Sequence, residues 1–169
     1  MAINYNPRIV TDGLVLALDA GNTKSYPGSG TIWYDRASAN TGTLTNGPTY
    51  SSGNGGSIVF DGVNDFINCG SGLALSGSWT LCAFAKPTAV SRTGILLQRS
   101  GDVNTGYLQN YGIYQQNNNK FYCGTSADSY KFASSTTTVT SNTWYYVTGL
   151  YDSTSKVLSI YIKIGRAHV

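Results

Sequence analysis

Residues 143–162 read TWYYVTGLYDSTSKVLSIYI, and this stretch decides the fold class. Thr143 to Tyr151 is a long run of aromatic and β-branched residues, the side chains that fit a pleated, half-buried surface. Val157 to Ile162 alternates with period two and reads as a second strand. Nowhere in the chain does a segment of useful length carry a helical period with capping residues. The class is therefore all-β.

Working outward, Trp79 to Ala85 sets Trp79, Leu81, Ala83 and Ala85 against Thr80, Cys82 and Phe84, with neither side strongly polar. That pattern predicts a central strand buried on both faces and ended by Pro87. Ser57 to Phe60 and Asp65 to Cys69 flank Asp61-Gly62, a hairpin-type signal. Leu14 to Asp19 is a short apolar run bounded by Gly13 and Gly21 and reads as a buried strand. Residues 21–31 form a Gly/Pro loop. Ile32 to Tyr34 is a short extended piece, and residues 35–56 are Ser/Thr/Asn/Gly-rich around a brief strand near Gly42 to Leu44.

Shorter strands are expected at Gly94 to Gln98, Gly112 to Gln115, Lys120 to Cys123 and Ser129 to Phe132. About a dozen strands at intervals of roughly ten residues predict a β-sandwich of antiparallel sheets. Residues 1–12 read as a lead-in and 13–162 as the domain, with no internal repeat and no second domain. Trp33, Trp79 and Trp144 each sit in an apolar strand and are expected in the core.

Charged residues make up 11% of the 169, against roughly 25% in ordinary soluble domains. Twenty Gly and thirteen Tyr take their place, and this richness in aromatics excludes disorder. No run of Lys or Arg offers an electrostatic track for nucleic acid or an anionic membrane. No basic-then-apolar leader marks a signal peptide. No apolar run approaches the roughly 20 residues of a membrane span. Cys69, Cys82 and Cys123 have no metal spacing and read as small buried hydrophobes. A Cys69–Cys82 bridge would need their strands to pair.

The seven C-terminal residues, Lys163 to Val169, read back through codons as AAG ATC GGA AGA GCA CAC GTC. That string contains a common sequencing-library adapter, so the natural chain is expected to be cut near Ile162 and the fold to lack its last strands. His168, the one histidine, falls inside this tail. The formal charge of +3 drops to +1 without Lys163 and Arg166.

Three segments, GSIVFDGVNDFINCG (Gly56 to Gly70), SWTLCAFAKPT (Ser78 to Thr88) and Thr143 to Ile162, resemble LamG-like jelly-roll domains of the concanavalin A-like lectin/glucanase superfamily. The resemblance implies a jelly-roll β-sandwich of two antiparallel sheets, C-terminally truncated, with an Asn-Gly turn expected where Lys163 stands. The opening, Asn6 to Asp35, with Thr43 to Ser52, is similar to LamG-like proteins of tailed bacteriophages, presumed virion or tail-associated. One departure lies after the tryptophan, where the usual Asp-Leu-Ser-Gly-Asn is Asp35-Arg36-Ala37-Ser38-Ala39-Asn40.

Hydrolases of this superfamily carry two glutamates around an aspartate, because glycoside hydrolysis needs two carboxyls at a fixed separation. This chain has eight aspartates and no glutamate. Only Asp61 and Asp65 fall close together, across a turn, and with the one histidine, His168, inside the suspect tail no Ser-His-Asp system is expected. The expectation is a protein that is not an enzyme. Many relatives bind calcium through Asp, Asn and carbonyl oxygens. The candidates here are Asp19 with Asn22, and Asp61 with Asn64 and Asp65. Such residues equally cap turns by bonding their own backbone.

A sugar surface calls for exposed aromatic faces beside amides. Tyr107, Asn110, Tyr111, Tyr114, Gln116 and Tyr130 form the candidate set, among Gln109, Gln115 and Asn117 to Asn119. The alternative is that half of these tyrosines bury their rings. The leading expectation is a carbohydrate-binding recognition module of a phage particle, acting in host adhesion. The alternative is a virion decoration protein with no glycan ligand. Expected partners are a host-surface glycan, other virion proteins and further copies of the chain. The expected location is the virion, or outside the cell after release by lysis. A binder should gather solvent-facing aromatics on one face; a decoration protein should expose an apolar patch.

Overall fold

The computed structural model describes residues 10–91, 93–99, 111–126 and 131–165. The fold is all-β, with antiparallel pairing throughout, of the jelly-roll β-sandwich class that the sequence predicts. The chain divides into two compact units, Met1–Leu73 and Ala74–Val169.

In the first unit, β1 (Ile32–Trp33), β2 (Gly42–Thr45) and β5 (Phe66–Asn68) form a sheet in the order β1-β2-β5. A separate hairpin joins β3 (Thr49–Ser51) to β4 (Ser57–Val59). Tyr26 and Leu44 are buried here. The Tyr26 ring meets Trp33 edge-on at 6.1 Å and Tyr50 at 5.4 Å, and its hydroxyl donates to Gly30 O. The ring buries its apolar body while its polar end keeps a partner.

Two expectations fail in this unit. Asp61-Gly62 does not close a hairpin: β4 pairs with β3 and β5 with β2, so the turn carries the chain from one sheet to another. Leu14 to Asp19 is not a strand. Its backbone bonds to loops and side chains instead of a ladder: Ala17 N donates to Asp35 Oδ1, Ala17 O accepts from Arg36 N, and Asp19 N donates to Ser25 Oγ. A buried backbone group must find some partner, and here short polar side chains supply it.

In the second unit, β6 (Trp79–Ala85), β11 (Tyr145–Asp152) and β12 (Val157–Ile164) form one sheet in the order β12-β11-β6. A second sheet orders β7 (Gly94–Arg99), β8 (Tyr111–Gln116), β9 (Lys120–Thr125) and β10 (Lys131–Ser134) as β10-β9-β8-β7. Their facing sides build one core from Trp79, Leu81, Tyr111, Ile113, Phe121 and Cys123 with Val139, Tyr145, Val147 and Tyr151. Trp79 contacts both Tyr111 at 5.6 Å and Tyr151 at 5.8 Å. Each such large side chain, fully buried, stabilises the fold by about 1.5–3 kcal/mol.

At Gly149 of β11 the two sheets lie too close together for a side chain. A Cβ there would overlap Cys123 Sγ and lie 3.2 Å from Cys123 Cβ. The β11–β12 turn is held by Asp152, whose Oδ1 accepts from Thr154 N and whose Oδ2 accepts from Ser155 Oγ.

The expectation that β6 is buried on both faces is also overturned. Trp79 and Leu81 are buried, whereas Thr80, Cys82 and Phe84 are exposed. Among the described residues β6 is an edge strand, with Thr80, Cys82 and Phe84 on its outward side. Trp79 is in the core as expected, while Trp33 and Trp144 are half-buried.

Candidate functional site

Alternation along β6, β11 and β12 sends every second side chain away from the core, and strand register lines these up in rows. Phe84, Tyr146 and Lys163 form one row; Cys82, Thr148 and Tyr161 form the next; Thr80, Leu150 and Ser159 follow. Phe84 is 60% exposed and Tyr161 62%. The Phe84 and Tyr146 rings lie 4.7 Å apart at 38°. The result is one outward face on which the Phe84 and Tyr146 rings are in contact, with Tyr161 in the next row beside Cys82 and Thr148.

Cys82 Sγ and Thr148 Oγ1 are 3.6 Å apart. A side-chain hydrogen bond with Cys82, followed by partial burial, holds the Tyr146 phenol above its ordinary pKa. The phenol is therefore neutral at physiological pH and remains a donor. At one end of the face, Asp152 is held below the usual carboxylate range, first by the Ser155 hydroxyl and then by the Thr154 amide. A carboxylate engaged in this way has no proton to give. The face can stack and hydrogen-bond a ligand.

The tyrosines expected to form a sugar surface are placed differently. Tyr111 is buried at 3% exposure against Trp79 in the core, so its ring faces no ligand. Tyr114 is also buried, stacked on Tyr122 at 5.7 Å and 17° and meeting Phe132 edge-on at 6.4 Å. The cause is the central position of β8, which is covered on both faces. Gln116 shares the outward side with Tyr114, is half-buried and pairs with Lys120. Tyr107, Asn110 and Tyr130 lie outside the described residues.

The acidic candidates are engaged by their own backbone. Asp19 Oδ1 accepts from Gly21 N, and Asn22 Oδ1 from Lys24 N. Asp61 Oδ1 accepts from Val63 N and Asn64 N, and Asp65 Oδ2 from Asp61 N. The Val63 amide is the main cause of the lowered Asp61 pKa. Among the described residues no three His, Cys, Asp or Glu side chains gather where they could hold a metal.

All three cysteines are free: Cys69 half-buried, Cys82 exposed and Cys123 buried. The small-hydrophobe reading fits Cys123 and fails for Cys82, and β5 and β6 belong to different sheets.

Sequence reasoning missed Phe84, Tyr146 and Tyr161 because apolar residues on both sides of a strand look like double burial. The available signal was Thr80 and Cys82 beside Phe84, and Ser159 beside Tyr161: small polar neighbours that a buried face rarely collects. No helix among the described residues is long and apolar enough to cross a membrane.

No curated protein and no solved structure matches the chain. A family model described as the concanavalin A-like lectin/glucanases superfamily matches residues 52–163, roughly two thirds of the sequence. That span takes in β6, β11 and β12 as far as Lys163, and with them the residues of the aromatic face. The chain belongs to the concanavalin A-like lectin/glucanases superfamily.

Proposed function

We propose that this protein is a non-catalytic recognition module of a phage particle, and that the outer face of β6, β11 and β12 binds glycan on a host surface. The observation that carries this reading is the pair of exposed rings, Phe84 and Tyr161, on one face of the sheet with Tyr146 on the strand between them. Aromatic rings offer large apolar surfaces to the C–H faces of sugars, and neighbouring hydroxyls orient the ligand. The chain has no glutamate with which to build a hydrolase pair. The particle assignment rests on the resemblance of Asn6 to Asp35 and Thr43 to Ser52 to tailed-phage proteins.

The test is binding of the purified protein to a glycan array and to candidate host cells. Phe84→Ala and Tyr161→Ala should each weaken binding about tenfold, the equivalent of roughly 1.4 kcal/mol. Undiminished binding by the double variant would remove this face from the function.

A second reading, a decoration protein, is favoured by the opposite sheet. On its outer side Ile95 is 61% exposed and Phe132 52%, flanking the Tyr114–Tyr122 stack. Exposed apolar groups clustered in this way mark assembly surfaces. Ile95→Asp should then abolish incorporation into particles while leaving glycan binding intact.

A further inference from the structure

The first unit holds an open recess of about 400 Å³, lined from the 39–43 and 68–72 segments. Its volume falls within the range of small-molecule sites. Its walls are polar and uncharged: Asn40, Thr41, Thr43, Asn68, Cys69 and Ser71.

The amides are oriented by the backbone before any ligand arrives. Asn40 Nδ2 donates to Val15 O at 3.1 Å and Ser38 Oγ at 2.8 Å. Its Oδ1 faces Gly72, where a Cβ would come within 2.9 Å of it. Asn68 Oδ1 accepts from Gly70 N at 2.8 Å, which fixes the amide and leaves its NH₂ as a donor. Thr43 stands directly across from Asn68 in the β2–β5 register. Among the described residues the Thr43 and Ser71 hydroxyls bond no other protein group.

The Asp35 carboxylate, whose charge is felt at Cys69, accepts from Ala17 N, Ala37 N, Ser38 N, Ser38 Oγ and Asn40 N. It has no capacity left for a ligand. A site with set donors and acceptors, hydroxyls able to play either part, and no available charge suits a neutral polyhydroxylated ring.

From this geometry we infer that the recess is a second saccharide subsite, holding one neutral pyranose unit between Asn40 and Asn68. It extends the carbohydrate reading but stands on different residues from the aromatic face, so the two succeed or fail separately.

The cysteines make them distinguishable. Cys69 lines the recess and Cys82 lies on the aromatic face, while Cys123 is buried and silent. Burial, with Asp35 adding a smaller contribution, raises the Cys69 pKa, so labelling belongs at mildly alkaline pH. The full chain is alkylated with N-ethylmaleimide in the presence of the methyl glycosides of glucose, galactose, mannose and N-acetylglucosamine, and of glucuronate. Peptide mass spectrometry reads each thiol separately.

One neutral glycoside should slow Cys69 labelling saturably, by about tenfold at ten times its Kd. Thr43→Val and Gly72→Ala should reduce that protection while the Cys82 rate stays unchanged. Protection of Cys69 without protection of Cys82 supports the recess even if the aromatic face fails. Protection of Cys82 alone, equal protection by glucuronate, or unchanged protection in both variants overturns it.

Discussion

Asp35 Oδ1 accepts a hydrogen bond from the backbone N–H of Ala17, eighteen residues earlier, at 2.7 Å. The same carboxylate takes the amides of Ala37, Ser38 and Asn40 and the Ser38 hydroxyl, so one side chain fixes two loops. The altered turn after Trp33 thus holds Asp35, Ser38 and Asn40 in mutual contact, with one residue more between the Asp and the Ser than in the usual pattern.

Asp35→Asn should destabilise the first unit by about 1–3 kcal/mol, because an amide NH₂ replaces one accepting oxygen and leaves donors unmatched. Hydrogen exchange should accelerate in peptides covering residues 14–19 and 36–40. Unchanged exchange there would show that the carboxylate does not hold the loops.

The same residue sets an acid limit. Burial pushes the Asp35 pKa up, but the hydrogen bonds from Ala17, Ala37 and Ser38 outweigh it and hold the value below the ordinary one. A depressed folded pKa gives stability that is full above the unfolded value, about 4, and lost as pH falls through the folded value. The urea midpoint should therefore drop below about pH 4, and this part of the drop should be missing in Asp35→Asn.

Gly149→Ala should destabilise the second unit by about 1–3 kcal/mol, since the added methyl overlaps Cys123 Sγ. Cys123→Ala in the same chain should recover part of the loss, and a double-mutant cycle by urea denaturation measures the coupling. Additive single effects would mean that the sheets separate to admit the methyl.

Burial alone pushes the Cys123 thiol up to about 12. At pH 8 in the native state, alkylation should proceed at Cys82 and spare Cys123 until denaturant is added. Cys123 labelling as fast as Cys82 would contradict the packing of the core.

Neither calcium nor a chelator should shift the melting temperature, because the Asp61 and Asp65 oxygens already accept amides of their own turn. A calcium-dependent rise that disappears in Asp61→Ala would assign metal ligation to that turn.

Regular strands were legible wherever the residues themselves sufficed. The run from Thr143 became β11 within two residues at its start, and the Val157 run became β12. What stayed hidden depended on partners distant in sequence. Leu14 to Asp19 has a strand's composition, but its amides go to Asp35 and Ser25, which no local pattern announces. Asp61-Gly62 makes a genuine turn whose flanking strands choose β3 and β2 instead of each other. In β6 the patterning is broken at Phe84, a large apolar ring on the exposed side of the strand, which reads in sequence like double burial. For Tyr111 and Tyr114, polar neighbours in sequence concealed a central strand.

The pairing in the first unit also orders its assembly. β3–β4 is nested inside β2–β5. Closing Thr45 onto Phe66 in an open chain spans 20 intervening residues. Once Thr49 meets Val59, only nine of them stay flexible. The saving in loop entropy is about 0.7 kcal/mol. Pairing of the small hairpin first thus shortens the loop that the longer-range sheet has to close.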